Sequence, residues 1–164
     1  MPASTTTIQQ DLKQSKPFRS RGQEAYVALL RTADDSKRFV SRLLDADDVT
    51  LQQYNVLRIL RGAGDEGLPT LSVAERMVER TPGVTRLIDR MEKKGWVTRE
   101  RGSRDRRRVW CMITSDGLSL LDRLDAPIDT VNDLMSASLN DDELRTLTAY
   151  LDRIRARLGA LDQV

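Results

Sequence analysis

The chain has 164 residues, 39% of them apolar and 32% charged, which is enough to bury a core in one domain, too apolar for disorder and too polar for a membrane protein. It has no histidine and one cysteine, Cys111, so an internal disulfide is excluded and the usual zinc ligands, the commonest general base and histidine-based triads are missing; no metal, no cofactor and no enzymatic activity are expected. Net charge is only +2, but residues 80–108 hold eleven Lys/Arg against four Asp/Glu, a local +7 that leaves −5 for the rest, and such a concentrated basic patch on an acidic body is the footprint of polyanion binding.

No apolar run approaches the ~20 residues that cross a bilayer, and the start, MPASTTTIQQ, has neither the basic end nor the apolar stretch of a signal peptide. A soluble, cytoplasmic protein with no membrane partner is expected. Residues 1–19 are polar and read as a flexible N-terminal arm. Ser20 and Gln23 then make a capping box. Tyr26, Leu29, Leu30, Ala33, Val40, Leu43 and Leu44 follow at helical spacing, predicting a long first helix over 20–48 that ends at the acidic turn DADD.

Thr50 and Gln53 open a second helix, with Leu51, Tyr54, Leu57 and Leu60 inward. The loop RGAGDEGLP, residues 61–69, breaks it. A short helix from Thr70 follows, with Leu71, Ala74 and Met77 on one side. Thr81-Pro82 reads as an N-cap and first helical residue. The helix it opens buries Val84, Leu87, Ile88 and Met91 and ends at Lys93, Lys94 and a left-handed Gly95. Residues 96–99 and 109–113 are strand-like and flank a charged, glycine-containing tip, so they predict a hairpin. Thr114 caps a further helix.

A helix, a turn, a second helix and a two-stranded hairpin in this order make a winged helix-turn-helix over 49–114. The fold class is therefore mainly α with a small β-hairpin wing, joined to a helical dimerisation layer over 115–164. In that layer Leu121, Leu124, Ile128, Val131 and Met135 form one heptad seam, with Pro127 predicting a kink inside it. Leu144, Leu147, Leu151, Ile154, Leu158 and Leu161 form another. Each seam is too short for a free coiled coil, so the helices pack on each other, on the first helix or on a second copy; homodimerisation is the preferred reading over an internal bundle.

The helix that Thr81-Pro82 opens places Thr85, Arg86, Arg90 and Lys93 on its exposed side, where arginine can form two hydrogen bonds to guanine in a DNA major groove. An ordinary solvated helix face is the competing reading. Asp89 is expected to pair with Arg86, Arg90 or Lys93 on the same helix. The hairpin tip shifts the balance toward DNA, with a purely solvated tip as the competing reading. Arg101, Arg104, Arg106, Arg107 and Arg108 on one short loop repel each other unless a polyanion faces them, and the narrow minor groove attracts inserted arginine. Asp105 is expected to brace the loop by pairing with one of these arginines.

VTRLIDRMEKKGWVTRERGSRDRRRVWCMITSDG, with LQQYNVLRIL ahead of it, resembles the MarR family of bacterial transcriptional regulators, from about Ser20 onward. The resemblance implies homodimers with intertwined first and last helices that bind pseudo-palindromic operators on double-stranded DNA. It implies a repressor released by a small-molecule effector or an oxidant. In Asp105-Arg106-Arg107, Arg106 matches the wing arginine that enters the minor groove, and Asp105 and Arg107 match the residues that hold the wing. Thr85, Arg86 and Arg90 match exposed recognition-helix positions. The ligand pocket is left unassigned: Tyr26, Tyr54 and Trp96 are candidates, although isolated aromatics at helical spacing are more often core. The oxidant-sensing members use a cysteine near the start of the first helix, which this chain lacks, and Cys111 is expected to pack as a small apolar side chain. Two alternatives are a nonspecific architectural DNA binder and a winged-helix module that docks an acidic protein.

Overall fold

The computed structural model describes residues 6–79, 83–101 and 109–161. The chain divides into two compact units, one ending at Leu51 and the other starting at Gln52.

The first unit holds α1 (Ile8–Asp11) and α2 (Arg21–Leu44). Within the segment read as a flexible arm, Thr7 and Gln10 form a capping box that fixes one helical turn. Asp11 at its end pairs with Arg31 of α2 at 3.0 Å. The start of α2 follows the expected signal: Ser20 Oγ accepts the Gln23 N–H at 3.1 Å. The Gln23 side chain reaches back one residue further than a capping box requires, to the Arg19 N–H at 2.8 Å. The helix ends in the acidic turn Asp45–Asp47, after which Asp48 is left-handed with φ 52°.

The second unit runs through α3 (Leu51–Ala63), all but its first residue, then β1 (Leu68–Pro69), α4 (Thr70–Arg76), α5 (Val84–Lys93), β2 (Val97–Arg101), β3 (Val109–Ile113), α6 (Ser115–Ser138) and α7 (Asp141–Leu161). Its core is drawn from every layer. Val56, Leu57 and Leu60 of α3, Val73 of α4, Leu87, Ile88 and Met91 of α5, Val97 and Cys111 of the sheet, and Leu120, Leu121 and Leu124 of α6 are all 2% exposed or less. A side chain of this size contributes about 1.5–3 kcal/mol when fully buried.

The hairpin of β2 and β3 lies where the sequence puts it, but the sheet has a third strand. β1 pairs antiparallel with β3, Leu68 opposite Cys111 and Pro69 opposite Trp110, in the order β1-β3-β2. Two residues are too few to show a strand period, and proline argues against a strand unless it lies at an edge, as Pro69 does. Gly67 makes the pairing possible. Its φ is 63°, and a Cβ there would lie 2.4 Å from the Cys111 carbonyl oxygen.

The inward face of α4 differs from the expected one. Val73 and Met77 are buried, Ala74 is half-buried, and Leu71 is 78% exposed. Thr70 sets this rotation by donating its hydroxyl to the Val109 carbonyl at 3.2 Å, so positions 70, 73 and 77 face the sheet. The expected Thr81-Pro82 helix start lies outside the described residues; α5 begins at Val84, behind a left-handed Gly83 with φ 89°.

α6 starts as predicted at Thr114, whose Oγ1 accepts the Gly117 N–H at 3.1 Å, and runs through Pro127 to Ser138. Arg61 of α3 grips Asp125 of α6 with two hydrogen bonds, 2.9 and 3.0 Å. Those bonds hold the Asp125 carboxyl below the usual carboxylate range against the opposing effect of burial. The turn to α7 is closed by a reciprocal cap: Asn140 Oδ1 accepts the Glu143 N–H at 3.0 Å and Glu143 Oε2 accepts the Asn140 N–H at 2.9 Å.

Candidate nucleic-acid interface

The stripe Val84, Leu87, Ile88 and Met91 faces the core, as the i, i+3, i+4, i+7 spacing predicts. That fixes the rotation of α5 and leaves Thr85, Arg86, Arg90 and Lys93 exposed on the other side. Among the described residues Arg86 and Arg90 carry no ion pair. Arg90 and Lys93 also lie in the last turn, where positive charge complements the helix dipole. Gly95 ends the run with φ 76°, and its N–H and that of Trp96 return to the Glu92 and Met91 carbonyls at 2.9 and 3.0 Å. Lys94 Nζ lies 4.5 Å from the centre of the Trp96 ring, a cation–π contact.

Asp89 does not take the partner expected for it. It pairs with Arg99 of β2, Oδ1 to Nη1 at 2.7 Å. Glu92, one turn further, accepts from Arg99 Nε at 2.9 Å and from Nη2 as well. The buried stripe turns positions 89 and 92 toward the flank where β2 leaves the Gly95 turn. Arg99 follows the buried Val97 by two residues and so projects from the same face of the strand. The Glu92 hydrogen bond, outweighing burial, raises the Arg99 pKa above its ordinary value. No local pattern announced this clamp; a carboxylate pair at i, i+3 opposite a strand arginine is its only trace in the sequence.

The hairpin is in register from Val97 opposite Ile113 to Arg101 opposite Val109. Arg101 closes β2, while Arg104, Asp105, Arg106, Arg107 and Arg108 lie outside the described residues, so the expected brace by Asp105 does too. Cys111 is buried at the centre of β3, as expected of an apolar packer. Its Sγ lies 3.3 Å from Thr70 Oγ1, and burial pushes the thiol pKa up.

The aromatics proposed for a pocket are scattered in kind. Tyr54 is core, with its hydroxyl accepting from Arg58 Nη1 at 2.8 Å; Trp96 is half-buried beneath Lys94, and Tyr26 is 61% exposed on α2. A shallow groove at the α6–α7 turn is lined by Leu139, Asn140, Leu147 and Tyr150 among others. Of the dimerisation candidates, Leu144, Leu147 and Leu151 are half-buried, and Ile154 and Leu158 are 45% and 56% exposed. Among the described residues no helix is long and apolar enough to cross a membrane.

The MarR family profile matches residues 49–109, from two residues before α3 to the first residue of β3. A MarR transcription factor from Planctomyces limnophilus, known from its crystal structure, is 38% identical, with a TM-score of 0.63 over 83% of this chain and 98% of that one. The chain belongs to the MarR family. The homoprotocatechuate degradative operon repressor of Escherichia coli is 25% identical over 79% of this chain and 86% of its own length. The S. aureus MepR–DNA complex shares the fold, at 24% identity and a TM-score of 0.73 over 80% of this chain and 97% of that one. This MarR-family protein is a DNA-binding transcriptional regulator and not an enzyme.

Proposed function

We propose that this MarR-family regulator is a homodimer that binds a pseudo-palindromic operator sequence-specifically and represses transcription until a small-molecule effector releases it. The exposed side of α5 carries the reading. Thr85, Arg86, Arg90 and Lys93 stand on a helix whose opposite side is locked into the core, which is the rigid presentation that base readout in a major groove needs. Arg101, Arg104, Arg106 and Arg107 are assigned to the adjoining wing, with Arg106 entering the minor groove and Asp105 and Arg107 holding the loop, by resemblance to the family.

Dimerisation is supported by exposed apolar side chains on α2 and on α7, each helix taken by itself: Tyr26 and Leu30 on one, and Tyr150, Ile154, Leu158 and Leu161 on the other, are each 45% exposed or more, the kind of surface that marks an interaction site. Repression is supported by the name of the Escherichia coli relative. Release by an effector follows the family resemblance, in which a small rotation of two DNA-binding regions breaks their spacing on successive grooves.

Selection from a random duplex DNA pool, run with the wild type and Arg106→Ala at two salt concentrations, tests the reading. An enriched inverted repeat, with weaker preference for A·T-rich flanks in Arg106→Ala, is the expected result. On that site Arg86→Ala or Arg90→Ala should cost about 1–3 kcal/mol at particular base positions. Salt-sensitive binding with no enriched motif would show an architectural binder instead, and no binding at either salt would overturn DNA recognition.

A further inference from the structure

The two acidic residues on α5 are misplaced for a helix that enters DNA. Asp89 and Glu92 are 42% and 37% exposed, and a carboxylate near phosphate is repelled. Their geometry explains them. Both turn from the exposed arginine face toward β2, and together they occupy all three nitrogen donors of one guanidinium, that of Arg99. Its side chain is only 26% exposed, so the pair is partly withdrawn from solvent, where a charge-assisted bond of this kind is stronger than on an open surface.

We propose that Arg99 is a positioning residue for DNA binding: it contacts no DNA, and by clamping β2 to Asp89 and Glu92 of α5 it sets the angle between the recognition helix and the wing. The inference rests on the DNA-binding reading above and adds a residue to it. Arg99 sits mid-ladder, opposite Cys111, whose side chain is wholly buried. One end of the strand is already fixed, at Val97 and the Gly95 turn. The clamp fixes a second point, two residues before the strand ends at Arg101. A strand held at two points along its length cannot pivot about the first, so the hairpin is aimed by the helix that it must accompany into the adjacent groove. The same contact offsets one of the two negative charges and draws both carboxylates toward β2, away from the arginines of α5.

The experiment compares Arg99→Gln, Arg99→Lys and the double variant Asp89→Asn/Glu92→Gln with the wild type, on the DNA enriched by selection, across a salt series. Circular dichroism and thermal melting of each variant report folding. The double variant is the decisive one because two effects oppose each other in it. Removing negative charge beside DNA should tighten binding if charge alone matters, whereas removing the clamp should weaken it, by about tenfold for contacts coupled this closely. The clamp predicts weaker binding, a loss of base preference at the flanking positions reached by the wing, and an unchanged salt slope for Arg99→Gln, because a guanidinium already partnered by carboxylates displaces no counterion. Arg99→Lys should restore part of the affinity, since one ammonium cannot span both acids.

A salt slope reduced by about one in Arg99→Gln would make Arg99 a phosphate contact and overturn the proposal. Unchanged or tighter binding by the double variant would overturn it equally. If the wild type enriches a site and the variants match it, only the clamp fails; if the wild type binds no DNA, the functional reading fails and takes the clamp with it.

Discussion

Cys111 shows how completely one side chain's chemistry is decided by where the sheet puts it. The thiol has no exposed surface, lies beside the Thr70 hydroxyl, and has its pKa raised by burial. Thiolate is the reactive form. Both access and ionisation therefore protect it, and a thiol-specific disulfide reagent at neutral pH should label the native protein about a hundredfold more slowly than the denatured chain, because labelling has to wait for local opening. Equal rates would show β3 to be open in solution. The pH dependence has a definite sign. A thiol whose folded pKa is raised contributes stability below the ordinary thiol range and loses it as pH rises through the raised value. Wild-type melting temperature should accordingly fall more steeply above neutral pH than that of Cys111→Ala.

At the scale of elements, the joint between the sheet and α6 depends on Gly117. The Thr114 N–H donates to the Trp96 carbonyl at 3.1 Å, and its hydroxyl donates to the Gly95 carbonyl at 2.7 Å. These bonds draw the first turn of α6 so close that a Cβ on Gly117 would lie 2.3 Å from the Trp96 oxygen and 2.8 Å from Ile113 Cγ1. Gly117→Ala must move backbone, and should destabilise by about 2–3 kcal/mol as overpacking does. Gly62, inside α3 with nothing within 4 Å of the equivalent Cβ, should respond with the opposite sign, Gly62→Ala stabilising by about 0.5–1 kcal/mol. Urea unfolding of both variants checks the contrast, and a shared sign would mean that propensity, not packing, controls these sites. The same distinction separates what was legible in the sequence from what was not. The inward stripe of α5, the Gly95 stop, the Thr114 cap and the β2–β3 pair are written in spacings of a few residues, and each lies where those spacings put it. The β1 strand, the rotation of α4 and the partner of Asp89 are set by contacts across 7 to 43 positions, from Glu92 to Arg99 up to Leu68 to Cys111, and no local period carries that information.

For the molecule as a whole, the helix that matters most is the one its own chain leaves uncovered. α7 spans 21 residues with no buried side chain, although Leu144, Leu147, Leu151, Ile154, Leu158 and Leu161 repeat at the 3, 4 spacing of a packed seam. Exposure along the seam rises toward its C-terminal half, from the half-buried Leu144, Leu147 and Leu151 to Leu161 at 64%. Partial cover at one end and open apolar surface at the other is the pattern expected of a helix completed by a second copy, whose matching seam would remove the remaining surface from water. Leu151→Glu with Ile154→Glu places two charges in the middle of that seam. Neither position is among the fully buried core residues, Leu151 being half-buried and Ile154 45% exposed, so the helix content should survive while molar mass from light scattering falls from two chains to one. Operator affinity should fall with it, by about a hundredfold or more, because two half-sites read by one particle gain from effective concentration and two separate monomers do not. A variant that keeps dimeric mass would place the interface away from α7. A variant that becomes monomeric while holding operator affinity would show that a single α5 and wing suffice, and the pseudo-palindrome would lose its physical reason.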